Sequence, residues 1–165
     1  MEGLLPPLHP GLETGKERAV LFSGVFDHSL DSKNRLTLPR RYRSAFTEGV
    51  MLAIPPDEQP CIWIARASDY EQYASNALAE LSPLSAKRLQ LERFFFGNSQ
   101  EAEPDGRERI MLPPRCMEHA KLAREVVVVG AGWRLECWDR EAWGEYRPTL
   151  SSEASAITAD AGHAA

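Results

Sequence analysis

The chain has 165 residues, of which 43% are hydrophobic and 26% are charged, so it can bury a core but is too polar for an integral membrane protein. No apolar run approaches the roughly 20 residues of a membrane-spanning helix, and the N-terminus lacks a basic stretch followed by an apolar one, which favours the cytoplasm. The net charge of −5 argues against a nucleic-acid partner, but a duplex responds to local charge within about 10 Å rather than to the total.

Cysteine and histidine are sparse and scattered. Cys61, Cys116 and Cys137 match no zinc or redox spacing, and their odd number argues against a disulfide framework. The four histidines have no partner at the spacing of metal ligands. We therefore expect no metal and no cofactor, and we interpret the cysteines as small buried apolar residues.

The two ends of the chain differ in composition from its middle. Residues 1–17 contain three prolines and three glycines without apolar periodicity, which predicts a flexible arm. Residues 148–165 are small and polar with almost no large apolar side chains, which predicts a disordered tail. The ordered body is predicted to span about residues 18–147.

The body contains an internal duplication. Residues 31–39 (DSKNRLTLP) and residues 105–113 (DGRERIMLP) both read Asp, three residues, Arg, an apolar residue, any residue, Leu and Pro. The similarity continues in order through the apolar run at 50–54 and its counterpart at 126–130. We predict a first repeat at 18–81, a linking helix at 82–96 and a second repeat at 97–147.

Each repeat predicts the same elements in chain order. A short strand runs into a proline, which suits the first turn of a helix because its missing N–H costs nothing there. A short helix, a β-hairpin and a second helix follow. The predicted strands are 36–38, 50–54, 61–65, 110–112, 126–129 and 133–138, and the short helices lie near 40–46 and 114–120.

Turn and cap signals separate these elements. The second hairpin is predicted to turn at Gly130–Ala131–Gly132, where backbone with positive φ is expected. A capping box beginning at Ser68 and a cap at Asp139 predict the starts of the helices that follow the hairpins. Ser82 is predicted to cap the linking helix.

The pattern predicts an α+β fold that is mainly β. No crossover helix of 10–15 residues joins neighbouring strands, which disfavours a doubly wound parallel sheet. Each repeat is too small to bury a stable core on its own. We therefore expect the two repeats to pair around a pseudo-two-fold axis and to complete one barrel.

One basic window stands out in this acidic chain. Residues 31–43 carry five basic side chains and one acidic one; the basic ones are Lys33, Arg35, Arg40, Arg41 and Arg43. The corresponding window at 105–115 carries three basic and two acidic side chains. On charge alone, the first copy is the better candidate for binding a polyanion, although such a run can also be a solvated surface.

The members of the Asp-x-x-x-Arg element are expected to differ in role. Asp31 and Asp105 precede a strand, where a carboxylate can accept backbone N–H bonds and fix a turn. Arg35 and Arg109 can pair with these carboxylates within a copy or across the pseudo-axis. We assign Asp31, Asp105 and Arg109 to the structural motif. The predicted DNA contacts are Ser32, Lys33, Arg35, Arg40, Arg41 and Arg43.

These segments resemble a known family. Residues 24–43 (GVFDHSLDSKNRLTLPRRYR), the second DGRERIMLP and residues 126–146 (VVVVGAGWRLECWDREAWGEY) are similar to MraZ proteins, relatives of the AbrB-type swapped-hairpin barrels. The resemblance implies a duplicated swapped-hairpin barrel with short flanking helices. It also implies a transcriptional regulator, expected to repress, of the division and cell-wall gene cluster. Such a protein would form a homo-oligomeric ring on repeated boxes of double-stranded promoter DNA, without a membrane, in the nucleoid of the cytoplasm.

The chain departs from the family at one position of the motif. The family usually has Gly before the motif Arg, whereas this chain has Asn34 and Glu108. Asn tolerates a left-handed backbone better than Glu does. If the position requires positive φ, the second copy carries strain of about 1 kcal/mol, which makes it the weaker candidate for reading DNA.

Two other classes of function remain open at this stage. Asp31 and Asp105 could meet across the axis as a catalytic carboxylate dyad, but each lies near an Arg that favours an ionised, paired carboxylate. We therefore do not expect an enzyme. The second class is a ring-forming protein-interaction or antitoxin-like module without specific DNA binding, for which the tryptophans and the run Phe94, Phe95 and Phe96 would supply apolar surface.

Overall fold

The computed structural model describes residues 20–163, so the predicted arm at 1–17 lies outside the described residues. Eight strands and four α-helices occur in this part of the chain, together with one 3-10 helix. The strands are β1 (Val25–Ser29), β2 (Arg35–Thr37), β3 (Val50–Ala53), β4 (Cys61–Arg66), β5 (Ser99–Ala102), β6 (Arg109–Met111), β7 (Glu125–Gly130) and β8 (Arg134–Asp139). The helices are the 3-10 helix Arg40–Phe46, α1 (Ala67–Leu78), α2 (Ala86–Gly97), α3 (Pro114–Ala120) and α4 (Arg140–His163). None of the helices in residues 20–163 has the length and apolarity needed to cross a membrane.

Six strands form one antiparallel sheet with the order β1-β7-β8-β4-β3-β5. The order is symmetric under exchange of the two repeats, because β1, β3 and β4 correspond to β5, β7 and β8. The first strand of each repeat pairs with the hairpin of the other repeat, as in the register Val25 with Val129 and Val50 with Ala102. This exchange confirms the mainly β, strand-swapped architecture; the sheet is a linear series of strands with β1 and β5 at its ends.

The remaining two strands form an antiparallel ribbon on the pseudo-axis. Arg35 of β2 faces Met111 of β6, and Thr37 faces Arg109. The central residues Leu36 and Ile110 have no exposed surface. The ribbon therefore anchors on the core by its inner face, and its outer face carries the two motif arginines.

Two apolar layers lie on opposite faces of the six-stranded sheet. One packs between the sheet, the ribbon, the 3-10 helix and α3, and it includes Leu36, Phe46 and Ile110. The other is rich in aromatic residues and includes Trp63 and Trp138. Both layers draw residues from the two repeats, which explains why about 55 residues suffice for each. A smaller cluster of Ala74, Leu78 and Phe95 joins α1 to α2.

Of the three residues predicted to form the second hairpin turn with positive φ, Gly132 alone adopts that conformation. Gly132 has a φ of +86°, which suits a residue without Cβ. At Gly130 the reason is close approach rather than dihedral angle, because an added Cβ would lie 2.3 Å from the backbone nitrogen of Ser23.

Three helix starts were predicted from capping residues, and two of those predictions are wrong. The carboxylate of Asp139 does accept the backbone N–H of Ala142 at the start of α4. However, α1 begins at Ala67 with no side-chain cap, so Ser68 caps nothing. The linking helix starts at Ala86 rather than at 82, because the hydroxyl of Ser85 accepts the N–H of Arg88.

The predicted disordered tail at 148–165 is wrong over residues 148–163, which continue α4 in helical conformation. The absence of large apolar residues was the wrong criterion, since alanine has the highest helix propensity. Nucleation is the costly step of helix formation, and here the packed first turns of α4 supply it. Pro148 lies inside this helix, and every residue from Arg147 to His163 is exposed.

Candidate nucleic-acid interface

The two Asp-x-x-x-Arg turns are built by the same hydrogen bonds. One carboxylate oxygen of Asp31 accepts the backbone N–H groups of Lys33 and Arg35, both at 2.9 Å, and the other accepts Nε of Arg35 at 2.6 Å. Asp105 accepts the corresponding groups of Arg107 and Arg109 at 2.8, 3.0 and 2.8 Å. Both aspartates therefore fix the turn, as the sequence predicted.

The ribbon brings the two turns together into one ionic cluster. Nη1 of Arg35 lies 4.0 Å from Oδ2 of Asp105, and Nη1 of Arg109 lies 3.7 Å from Oδ2 of Asp31. The arginines thus pair within a copy and across the pseudo-axis. Because each carboxylate faces two guanidinium groups, the pair is held ionised and cannot share a proton as a catalytic dyad would.

The acidity of the two aspartates follows from this arrangement. Desolvation raises the pKa of Asp31, but hydrogen bonds from the backbone and side chain of Arg35 and from the backbone of Lys33 outweigh it and lower the pKa to about 2. At Asp105 the backbone N–H of Arg109 is the main cause of a lowered pKa. Both carboxylates are therefore charged at neutral pH.

The residue before each motif arginine adopts a left-handed backbone. The φ angle is +58° at Asn34 and +60° at Glu108. The position thus requires positive φ in both copies, and Glu108 is the residue for which this conformation is costly.

The tips of the turns carry the free charge of the cluster. Ser32 and Lys33 are exposed, as are Gly106 and Arg107 in the second copy. The charges of Arg35 and Arg109 are largely balanced by the two aspartates. An anion approaching the ribbon therefore meets Lys33 and Arg107 as the uncompensated cations of the two turns.

The 3-10 helix separates the other predicted contacts. Arg40 is exposed. The guanidinium of Arg41 lies 5.7 Å from the ring centroid of Tyr42, and Arg41 lines a groove with Glu48 and Arg66. Arg43 is half-buried, and its Nε donates to the carbonyl of Leu38 at 3.1 Å. The arginines of this helix therefore do not share one environment.

The environment of Arg43 extends to the neighbouring strand. Burial lowers the pKa of His28 on β1, and the charge of Arg43 lowers it further. A neutral His28 beside a partly buried guanidinium favours a packing role for Arg43.

The structure adds residues near the site that the sequence reasoning missed. Arg124 lines a groove with Asp31 and Ser32, and its carbonyl accepts the backbone N–H of Leu30 at 2.8 Å. It is distant in sequence and reaches the first turn only because β1 pairs with β7. Met111 is 59% exposed on the outer face of the ribbon beside Arg35. Successive side chains of a strand point to opposite faces, so a strand at 110–112 with Ile110 and Leu112 in the core already predicts that Met111 points outward.

Comparison with known proteins agrees with this architecture. The sequence pattern of the family described as "MraZ protein, putative antitoxin-like" matches residues 21–92 and 95–163. Those two segments make up most of the chain. The chain belongs to the MraZ family.

Several relatives in the MraZ family are similar over nearly their whole length. A protein of Moorella thermoacetica named transcriptional regulator MraZ is 34% identical over 137 residues, which cover 83% of this chain and 94% of the relative. The proteins of the same name from Hydrogenovibrio crunogenus and Heliobacterium modesticaldum are 32% identical over 139 residues and 33% identical over 126 residues. These two matches cover 82% and 76% of this chain, and 91% and 86% of the relatives. These relatives are thus named for transcriptional regulation.

Proposed function

We propose that this chain is a transcriptional regulator that binds double-stranded DNA with the ribbon β2–β6 and the two turns beside it. The observation that carries the proposal is the ionic cluster on the pseudo-axis, which holds both turns rigid and points Lys33 and Arg107 to solvent. A two-stranded ribbon is narrow enough to enter the major groove of B-DNA. Because the turns are already ordered, binding would cost little conformational entropy.

The two copies are proposed to contribute unequally. The first turn offers Ser32 and Lys33, and the 3-10 helix that follows adds Arg40. In the second copy, Glu108 and Pro114 stand where the first has Asn34 and Arg40. We assign most phosphate contacts to the first copy, with Arg41 and Arg43 at the edge of its binding surface. We assign a mainly structural role to the second copy.

The finer features of the function are proposals as well. We propose that the protein represses the division and cell-wall gene cluster and that a ring of identical subunits binds repeated promoter boxes. Each subunit would bind weakly through phosphates, so binding would be sensitive to salt. Several linked subunits on regularly spaced boxes would gain affinity through effective concentration. The nucleoid would then be the place of action.

The experiment is fluorescence anisotropy with a DNA fragment from upstream of the protein's own gene and a shuffled fragment of the same composition. We expect binding that prefers the natural fragment and weakens steeply between 50 and 200 mM salt, by a factor on the order of 10³ if six phosphates are contacted. Lys33→Ala should reduce the salt slope by about one. No binding at low salt by well-folded protein would contradict the proposal and favour the protein-interaction alternative.

A further inference from the structure

Helices α1 and α4 are counterparts in the two repeats but have different surroundings. Each begins directly after the last strand of its repeat, and the tyrosines Tyr73 and Tyr146 occupy corresponding places. However, α1 has 12 residues whereas α4 has 24. The extra turns of α4 have no equivalent in the first repeat.

Helix α1 is covered by α2 of the same chain. The hydroxyl of Tyr70 donates to the carbonyl of Phe95 at 2.8 Å, and the ring of Tyr73 lies edge-on to that of Phe95 at 5.9 Å. Nη1 of Arg88 donates to the carbonyl of Leu78, near the C-terminal end of α1. These contacts bury the side chains of α1 that face away from the sheet.

Among residues 20–163, nothing covers helix α4 in this way beyond its first two turns. The ring of Tyr146 stacks on that of Trp138 at 4.9 Å, and Trp143 lies 5.5 Å from the same ring. Every residue from 147 to 163 is exposed, a stretch of about 25 Å at the helical rise per residue. An isolated helix of this length is marginal in water, so packing is needed to hold it.

The exposed part of α4 has an apolar stripe suited to packing. Leu150, Ala154, Ile157 and Ala161 recur at intervals of four, three and four residues, so they share one helix face. Ile157 is 68% exposed. The stripe continues the face that the aromatic residues of the first turns present to the sheet.

Helix α2 offers the complementary surface. Its outer face carries Leu89, Arg93 and Phe96 at i, i+4 and i+7, with Leu89 38% and Phe96 54% exposed. Its charged residues are three basic and one acidic, namely Lys87, Arg88, Arg93 and Glu92. Arg88 pairs with Glu92, and Lys87 lies about 160° around the helix from Leu89. Arg93 is therefore the cation beside this stripe, and its charge is opposite to those of Glu153 and Asp160 on α4.

The charge of α4 decides between two arrangements. This helix carries four acidic and two basic residues, namely Glu141, Glu145, Glu153, Asp160, Arg140 and Arg147. Two α4 helices from two copies would therefore repel each other, whereas α4 and α2 attract. The favoured contact joins unlike surfaces of two copies.

We propose that residues 147–163 of α4 dock on the outer face of α2 of a second copy of this chain. Leu150 and Ile157 would pack against Leu89 and Phe96, with Glu153 and Asp160 facing Arg93 of α2. Such a contact is head-to-tail, because each copy offers both surfaces and leaves one of each free, and it generates a closed ring or an open filament. The inference rests on the proposed self-assembly and specifies its interface.

The test is sedimentation velocity on the full chain with charge-reversed variants. Glu153→Lys with Asp160→Lys on α4 should weaken assembly at least tenfold, and Arg93→Glu on α2 should weaken it as well. A chain carrying all three changes restores opposite charges and should assemble like the wild type. The matched control, Glu141→Lys with Glu145→Lys, makes the same change of charge on the opposite face of α4 and should leave assembly unchanged.

Other results would overturn the inference. If two α4 helices paired with each other, reversal on α4 alone would keep like charges together and leave assembly unchanged. Failure of the combined variant to reassemble, with its circular dichroism unchanged, would also contradict the contact. DNA binding at low salt is measured for the wild type and each variant, and it separates the two claims. A wild-type chain that is a monomer and still binds DNA would refute this interface but not the DNA-binding surface.

Discussion

The two Asp-x-x-x-Arg turns have the same skeleton but different surfaces. In each, one aspartate accepts two backbone N–H groups and one arginine Nε. The tips differ, with Ser32, Lys33 and Asn34 in the first copy and Gly106, Arg107 and Glu108 in the second. The residues that build the turn are thus the same in both copies, whereas the residues at the tips differ.

In our proposal, the two copies therefore differ in DNA binding through their tips rather than through the shared Asp and Arg. Asp and Arg look like the functional residues of the motif, yet they form ion pairs that balance each other's charge. The residues between them need only be compatible with the backbone conformation of the turn, so their side chains can differ between the copies. Changes in the skeleton should therefore affect both copies equally, and changes at the tips should affect them unequally.

The largest equal effect is expected beneath the ribbon. Leu36→Ala and Ile110→Ala each remove a fully buried side chain of the same layer. Each should lower the free energy of unfolding by about 2–4 kcal/mol, as measured by urea denaturation. A large loss at one site and none at the other would show that the repeats do not share one core.

The largest unequal effect is expected in DNA affinity. Lys33→Ala with Arg40→Ala removes two exposed cations of the first copy and should weaken binding by about 30–100-fold at 0.15 M salt. In the second copy Pro114 stands in the place of Arg40, so the comparison variant is Arg107→Ala with the nearest exposed cation, Arg115→Ala, which should weaken binding by less than about fivefold. Anisotropy titrations measure both. Equal losses would refute the assignment of phosphate contacts to the first copy.

A smaller unequal effect is expected from the backbone. Glu108→Gly relieves the cost of a positive φ and should stabilise the fold by about 1 kcal/mol. Asn34→Gly should change stability by only a few tenths of a kcal/mol, because Asn tolerates this conformation. Thermal unfolding of the two variants side by side measures the difference, and a destabilised Glu108→Gly chain would refute the strain.

The smallest effect is a pH dependence shared by both copies. The pKa of Asp31 is lowered to about 2 in the folded chain, and that of Asp105 is lowered too, so both contribute stability above their unfolded pKa near 3.8. This contribution should be lost as pH falls from about 4 to 2. Denaturation of the wild type against an Asp31→Asn/Asp105→Asn variant isolates it, and parallel pH profiles for the two chains would contradict the pKa shifts.

Most of the hairpins and the duplication could be predicted from the sequence because their signals are local. The apolar run at Val126, Val127 and Val128 and the glycines after it define β7 and its turn. Strands β1 and β5 were not predicted, since VFDHS and SQEA have weak alternation and owe their conformation to pairing with the other repeat. Non-local pairing leaves little trace in a short polar strand.

The candidate site shows the same division. The roles of Asp31 and Asp105 follow from a turn chemistry that operates within five residues. By contrast, the proximity of Arg124 to the first turn, and the partial burial of Arg43, depend on tertiary packing. The predicted DNA contacts at Ser32, Lys33 and Arg40 stay predictions that only binding experiments test.

The most direct test of the central claim is photo-crosslinking from the two turn tips. A genetically encoded photoreactive residue placed at Lys33, or at the matched position Arg107, would be irradiated with the upstream DNA fragment at 0.1 M salt. The account predicts crosslinks from position 33 that are several-fold more abundant and that shuffled competitor DNA does not displace. Equal crosslinking from both tips, or none from position 33 while the protein remains bound, would contradict it.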